Sequence, residues 1–143
     1  MKKLVLIFSA AMLLHAGDLV IKEAHGDVGS VMNRLVKIVK EKGAVVLARI
    51  DHRQTARKAG MDMNDEQLLL FSRPRADTRI MLNDPRAGLD LPMKILVYRD
   101  FNGKTWIVYR DPMTLKKEYR LDHCAILPEL SGMMKEIADT AAK

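Results

Sequence analysis

The sequence predicts an α+β domain in which one antiparallel sheet packs its helices on a single face, in the order β-α-β-β-β-β-α. Apolar residues recur at spacings of three and four near both ends of the chain, which is typical of amphipathic helices. Short apolar runs lie between them, as expected of strands. The pair Asn102-Gly103 joins two of these runs, and such a pair is a strong hairpin signal. One sheet with its helices on one face is the economical arrangement of such elements.

The first strand and the first helix are predicted within residues 19–43. Residues 19–21 form a short apolar run that ends before His25-Gly26. Asp27 is placed to cap a helix, and Gly43 follows Lys42 where that helix would end. The helical spacing rests on Val28, Val31, Met32, Leu35, Ile38 and Val39.

The middle of the chain predicts two strands and two polar connections. Residues 44–50 are almost continuously apolar, which predicts a strand buried on both faces at its start. Residues 51–60 are a polar connection with room for one helical turn, and residues 67–72 form a third strand. Residues 73–92 hold three prolines and four arginines and are expected to be a long loop with one helical turn at 80–82. A loop of that length in a compact domain is often functional.

The last third of the chain predicts a hairpin followed by a helix. Residues 93–100 and 104–110 read as its two strands, and the Asn-Gly turn between them is expected to use positive φ at both central positions. The final helix is expected to start at Pro128, because proline is favoured in the first helical turn. Its apolar stripe comprises Leu130, Met133, Met134, Ile137, Ala138 and Ala141.

Residues 1–16 have the organisation of a secretory signal peptide. Lys2 and Lys3 precede an uncharged run over residues 4–14, and Ala16 offers a small residue before Gly17. The run is too short for a membrane span of ~20 residues. We therefore predict an exported protein, periplasmic or secreted, whose mature part is a single domain over residues 17–143 with no stable membrane insertion. The alternative is that the run forms a buried strand of a cytosolic protein.

Composition limits the classes of function. The chain of 143 residues has room for one domain and carries a net charge of +6, of which two charges lie in the predicted signal. This mild surplus favours anionic ligands weakly and, with 5% aromatic residues, does not indicate nucleic-acid binding. Cys124 has no second cysteine in the chain to pair with, so it is a buried inert thiol, an exposed reactive thiol or part of an intermolecular disulfide, and burial is the simplest of these interpretations.

Four separated segments carry a resemblance to a known family. They read KGAVVLARIDH at 42–52, LLLFSRPR at 68–75, GLDLPMK at 88–94 and YRDP at 109–112. In this order they resemble the domain-of-unknown-function 302 family, from about residue 19 to the last helix. The resemblance implies a β-α-β-β-β-β-α arrangement similar to the TATA-box-binding-protein fold and implies no settled biochemical function. The basic run at 53–58 departs from the family pattern.

Asp51 and His52 are the first candidate site residues, because they end the second predicted strand. Neighbouring residues on a strand point to opposite faces, so a direct Asp–His catalytic pair is not expected. In one interpretation Asp51 caps the polar segment that follows and His52 is a hydrogen-bonded structural histidine. In the other, His52 binds a ligand or transfers protons near neutral pH.

Arg73 and Arg75 are the second candidate site residues. Pro74 fixes the backbone between them, and their guanidinium groups match carboxylate or phosphate in a bidentate manner. Asp90 could bind the same region or serve as the internal ion-pair partner of Arg73. Tyr98 and Tyr109, on the two hairpin strands, add hydroxyl groups to this region or close the edge of the core.

Metal binding is the third candidate, and it predicts no defined site. The soft ligands that copper(I) prefers are available, but their spacing matches no established metal motif, so neither a metal nor another cofactor is predicted. The ligands in question are His25, His52, His123 and Cys124, with Met61 and Met63.

The sequence therefore predicts an exported binding or sensing domain that holds a small anionic ligand near Arg73 and His52. A homodimer formed through the sheet edge or the hairpin belongs to this interpretation. The first alternative is a small hydrolase or isomerase with His52 as general base and Arg73 as a clamp. The second alternative is periplasmic copper binding through histidine and methionine. Whether the protein is an enzyme stays open at this point.

Overall fold

The computed structural model describes residues 18–143, and the predicted export signal lies outside the described residues. A five-stranded antiparallel sheet in the order β1-β5-β4-β3-β2 carries its principal helices on one face, which confirms the α+β prediction. Within residues 18–143, no helix is both long enough and apolar enough to span a lipid bilayer. The elements are β1 (Leu19–Ala24), α1 (Val28–Glu41), β2 (Val45–Asp51), α2 (His52–Lys58), β3 (Glu66–Ser72), α3 (Pro74–Asn83), β4 (Met93–Arg99), β5 (Thr105–Arg110) and α4 (Ile126–Ala141), with short 3-10 helices at Pro85–Leu89 and Pro112–Lys117.

Helices α1 and α4 pack against each other and cover the sheet. The Asp27 carboxylate caps α1 by accepting a hydrogen bond from the Ser30 amide at 2.9 Å, as the sequence predicts. Helix α4 begins two residues before Pro128, so the predicted start is late, but the whole predicted apolar stripe is buried. Because both helices bury one stripe each on the same face of the sheet, they form one hydrophobic core with it.

The sheet contributes alternate residues to this core. Leu69 and Ile95 are fully buried against the helices, and so is Ile107. Their chain neighbours Leu68, Leu96 and Val108 point to the opposite face, because successive side chains on a strand alternate. That opposite face is not covered by any element within residues 18–143.

Strand β2 differs from its prediction. It is an edge strand that pairs only with β3, and Val45 and Leu47 are 50% and 55% exposed. The prediction of burial on both faces is therefore wrong: within residues 18–143 no strand lies beyond β2, and the helices cover only one face. The register with β3 shifts between Val46 and Ala48, so Leu47 forms a bulge.

The predicted loop at 73–92 is mostly helical. Helix α3 begins at Pro74, a position that suits proline because the first helical amide has no intrahelical acceptor. Asp84 then caps the following 3-10 helix. Its carboxylate accepts hydrogen bonds from the Arg86 side chain at 2.7 and 3.0 Å and from the Arg120 amide at 3.1 Å. The Arg86 guanidinium and these amides hold the pKa of Asp84 well below its usual range. This carboxylate fastens the segment to the rest of the domain.

The predicted hairpin is confirmed, but its turn is of another type. Among the described residues only glycines have positive φ, and in this turn Gly103 has φ of +81°. The Asp100 carboxylate accepts hydrogen bonds from the Asn102 and Lys104 amides at 2.9 Å each and from the Trp106 indole at 2.8 Å. An Asx-type turn therefore replaces the predicted turn with two positive φ angles.

Candidate functional site

A cleft opens where α3 and α4 begin. Its volume is about 530 Å³, which lies within the usual range for small-molecule sites. The first turns of the two helices form opposite walls, and the loop after α1 contributes Gly43. The lining residues are Gly43, Arg73, Pro74, Arg75, Ala76, Arg79, Ile126 and Glu129.

The two helices that begin at this cleft have no side-chain cap. Asp27 and Asp51 cap α1 and α2 through their carboxylates. The N-cap residues of α3 and α4 are Arg73 and Ala125, and neither makes a side-chain hydrogen bond to its helix.

Few first-turn amides of these two helices are free, because Pro74 and Pro128 have no N–H and the Ala76 and Leu127 amides donate to the carbonyls of Arg73 and Cys124. Each helix also has a carboxylate in its first turn. The positive dipole ends of two helices therefore meet at the cleft, and these carboxylates partly compensate them.

The arginines of the cleft are only partly paired. A guanidinium nitrogen of Arg73 lies 2.8 Å from a carboxylate oxygen of Glu129. Arg75 and Arg79 are exposed, and within residues 18–143 neither makes an ion pair or a side-chain hydrogen bond. They stand at i and i+4 on α3, where like charges destabilise a helix by about 0.2–0.5 kcal/mol. The cleft therefore keeps two unneutralised positive charges on one helix face.

A buried carboxyl group fastens the start of α3 to the end of β3. The Ser72 hydroxyl donates a hydrogen bond to Oδ2 of Asp77, while Oδ1 of Asp77 has no hydrogen-bond partner among residues 18–143. Burial raises the pKa of Asp77, and the hydrogen bonds from Ser72 and from the Arg73 amide offset only part of this effect. Asp77 thus positions the helix end that carries the arginines.

Asp51 has a local role in the structure, whereas the His52 side chain makes no hydrogen bond within residues 18–143, so the expected hydrogen-bonded histidine is not observed. The Asp51 carboxylate accepts a hydrogen bond from the Gln54 amide at 2.8 Å and caps α2, which is the structural interpretation that the sequence offered. His52 is the first residue of α2 and is partly buried. Helix α2 has seven residues, longer than the single turn expected.

The structure does not bring His52 and Arg73 together. The pairing of β2 with β3 sets Asp51 beside Gln67 and Val45 beside Ser72, so the two candidates stand at opposite ends of that pair. Six residues of strand separate those ends, or roughly 20 Å. One small ligand cannot contact both side chains.

The other predicted site residues are also dispersed. Asp90 accepts a hydrogen bond from the Tyr119 hydroxyl and is not the partner of Arg73. Tyr98 lies on the uncovered face of the sheet, whereas Tyr109 is buried on the helix side. Of the seven predicted ligand-binding residues, only Arg73 and Arg75 line the cleft.

The candidate metal ligands do not form a cluster. Across residues 18–143, no three side chains of His, Cys, Asp or Glu come close enough together to hold a metal ion. Cys124 is a buried free thiol, with the Asn83 side-chain amide 3.9 Å from its sulfur. Met61 is exposed to solvent.

Sequence reasoning missed Arg79 and Glu129. Arg79 could have been found from Pro74, because proline followed by polar residues is a helix start and places Arg79 one turn after Arg75. Glu129 is 56 residues from Arg73 along the chain, and only the packing of α3 on α4 joins them.

This architecture defines a two-layer α+β domain with a cationic cleft at two helix N-termini. The chain belongs to the family described as domain of unknown function DUF302, whose model matches residues 20–140. A crystal structure of an uncharacterised conserved DUF302 protein from Bacillus stearothermophilus has a similar fold. Its TM-score is 0.78 at 20% identity, and the match covers 90% of this chain and 100% of that one.

Curated relatives from Brucella are similar to most of the chain. The chain is 32% identical over 111 residues to proteins named "Fluoride-specific ion channel FluC 1" from Brucella suis biovar 1 and Brucella abortus biovar 1. The match covers 78% of this chain, and 43% and 41% of those proteins. The chain thus spans about two-fifths of the length of these relatives.

Proposed function

We propose that this protein binds a small polyatomic anion, a carboxylate or phosphate compound, in the cleft where α3 and α4 begin. One observation carries the proposal: three arginines line one cleft, and within residues 18–143 two of them have no ion-pair partner. Guanidinium groups favour oxyanions, and the dipole ends of α3 and α4 add to the positive field in the same volume.

The arginines of the cleft would have different roles in binding. Arg75 and Arg79 are free to form bidentate hydrogen bonds with oxyanions, and their mutual repulsion falls when an anion lies between them. Arg73 is held by Glu129 and forms the fixed wall of the site. The volume of about 530 Å³ favours an organic acid or phosphate ester over a single-atom ion.

Binding without catalysis fits the arrangement of residues better than a hydrolase or isomerase activity based on His52 and Arg73 does. That alternative needs a general base and a charged clamp on the same substrate. His52 and Arg73 stand at opposite ends of the β2–β3 pair, so the expected base and clamp do not meet. The proposal also places binding outside the cytoplasm, and the predicted signal peptide alone supports that part.

Fluoride is a second ligand to consider, because the matching Brucella proteins are named fluoride-specific channels. The two positive charges of the cleft would attract fluoride as well as larger anions. A direct comparison of fluoride with phosphate and citrate decides between a monoatomic and a polyatomic ligand.

The test measures thermal stabilisation and heats of binding with sodium phosphate, citrate and fluoride at constant ionic strength. An anion present at about 100 times its dissociation constant stabilises the folded state by about 2.7 kcal/mol. The variant R75A/R79A removes the two unpaired arginines. R57A controls for the loss of an exposed arginine elsewhere, because Arg57 lies on α2 and makes no ion pair within residues 18–143.

We expect phosphate or citrate to stabilise the wild type and R57A, and we expect R75A/R79A to lose most of this effect. Equal stabilisation of R57A and R75A/R79A would show that general charge screening is responsible and would refute the site. Stabilisation by fluoride alone would contradict the polyatomic ligand.

A further inference from the structure

The uncovered face of the sheet carries an apolar row that crosses all five strands. The strand pairings join Ile21 to Val108, Val108 to Leu96, Leu96 to Leu68, and Leu68 to Ile50. Ile21 and Ile50, at the two ends, are 38% and 36% exposed, and the three central side chains are partly exposed. A continuous apolar band on an open face is typical of an interaction surface.

The rows on either side of this band differ in charge. Toward the hairpin lies the row Glu23, Trp106, Tyr98 and Glu66, which is acidic and aromatic, although Glu23 is already paired with Lys104 at 3.0 Å. Toward the other end lie Leu19, Arg110, Lys94, Leu70 and Ala48, which are basic and apolar. Within residues 18–143, neither Glu66 nor Arg110 makes an ion pair or a side-chain hydrogen bond.

We propose that two copies of this chain associate through these faces, about a twofold axis that runs along the apolar row between the sheets. This rotation exchanges the two flanking rows. Trp106, whose ring already has the Lys104 amine 5.9 Å from its centroid, then faces Arg110 of the second copy. Tyr98 faces Lys94 of the second copy, whose amine donates to the Asp90 and Pro92 carbonyls of its own chain. Both placements set a cation beside an aromatic ring. Glu66 comes beside the same lysine. The face is therefore complementary to itself, as an isologous dimer requires.

The alternative twofold axis, parallel to the strands, is less favourable. Strand β4 is the middle strand of the sheet, so that rotation would stack Lys94 on Lys94 of the second copy. The proposed axis avoids this repulsion and leaves the strands of the two sheets nearly aligned, which is the common way for sheets to pack.

The area of the face fits a reversible dimer. Five strands about 4.8 Å apart, each roughly 20 Å long, give on the order of 500 Å² per copy. Two copies together bury about 1,000 Å², which is the lower limit for a specific interface. We therefore expect an association that dissociates on dilution. The inference does not rest on the proposed anion site, which lies at the start of α3 and α4.

The experiment follows the mass and the fluorescence of the full chain over protein concentrations from about 1 to about 100 µM. Sedimentation velocity gives the mass. Trp106 is the only tryptophan of the chain and lies on this face, so its emission reports on contact with a second copy. L96E places a charge in the middle of the row, and L82E makes the same substitution at a leucine of α3 that is 79% exposed.

We expect dimers of the wild type and of L82E, a blue-shifted Trp106 emission at high concentration, and monomers of L96E over the whole range. R110E should weaken association at least tenfold, and K143E is its control for the change of charge. If circular dichroism shows that L96E is unfolded, I21E at the more exposed edge position replaces it. A monomeric wild type, or association that persists in L96E or I21E, would overturn the proposal. Loss of association in L82E would also overturn the proposal, because Leu82 lies on α3 and not on the open face of the sheet.

Discussion

Replacing Asp77 by asparagine tests whether this buried carboxyl group is held at a cost to stability. The residue is 6% exposed, Oδ2 accepts a hydrogen bond from the Ser72 hydroxyl, and Oδ1 has no partner in the part of the chain that the structure describes. Asparagine keeps the shape and the acceptor for Ser72, but it never carries a charge. The substitution removes ionisation and places an amide NH2 group where Oδ1 stood, and the cost of that unpaired donor group is the same at every pH.

The sign of the effect follows from the pKa. Burial raises the pKa of Asp77 in the folded state, so the unfolded chain releases this proton at a lower pH than the folded protein does. As the pH rises from 3.8 through the folded-state pKa, the wild type loses stability that the asparagine variant keeps. Each pH unit by which the pKa is raised costs about 1.4 kcal/mol, or about 4 °C in Tm for a domain of this size.

Urea unfolding of the wild type and D77N between pH 3 and pH 7.5 measures this difference directly. We expect D77N to be no more stable than the wild type at the acid end and to gain stability relative to it as the pH rises. D62N is the control for the same substitution at the surface. The Asp62 side chain is 83% exposed, and its contact with Arg53 is long, at 3.8 Å. A constant difference between wild type and D77N at every pH would refute the reasoning, since a packing effect does not depend on protonation.

Two further predictions concern alkaline stability and helix capping. Burial raises the pKa of Tyr109 to about 12, and the hydrogen bond to Asp90 raises the pKa of Tyr119 to about 12. Because unfolded tyrosine ionises near pH 10, stability should fall as the pH rises from 10 to 12. In a Tyr98→Phe background, which leaves only Tyr109 and Tyr119, tyrosinate absorbance should appear together with unfolding. Tyrosinate at pH 10 in the folded variant would contradict this. The substitution Asp51→Ala removes the acceptor for the Gln54 amide and should cost about 1 kcal/mol in urea unfolding while leaving anion binding unchanged, whereas loss of binding would assign Asp51 to the site.

The sequence predicts well those elements whose own residues determine them. Helix α1 has a side-chain cap at Asp27 and an unbroken apolar stripe, so its start and its buried face could both be read. Helix α3 buries only Ala76, Asp77 and Ile80, and its other positions are polar or proline. Its periodicity was too weak to predict more than one turn. The signal that remained was Pro74 at the first helical position.

The limits of prediction elsewhere lie in contacts between distant residues. Apolar content placed β2 in the interior, but the order of strands in the sheet, which the sequence does not specify, puts Val45 at an edge. Dependence on distant contacts also explains why the candidate site was predicted only in part. Arg73 and Arg75 follow from the local motif, while the pairing of Arg73 with Glu129 depends on how α4 packs.

The bulge at Leu47 bears on the behaviour of the protein at high concentration. A regular edge strand offers a ladder of free amides and carbonyls on which a strand of another molecule can grow. The shift of register between Val46 and Ala48 twists β2 and leaves one residue out of the ladder. Its exposed valine and leucine side chains would otherwise make this edge a template for fibrils. The irregular edge therefore protects the domain against open-ended polymerisation.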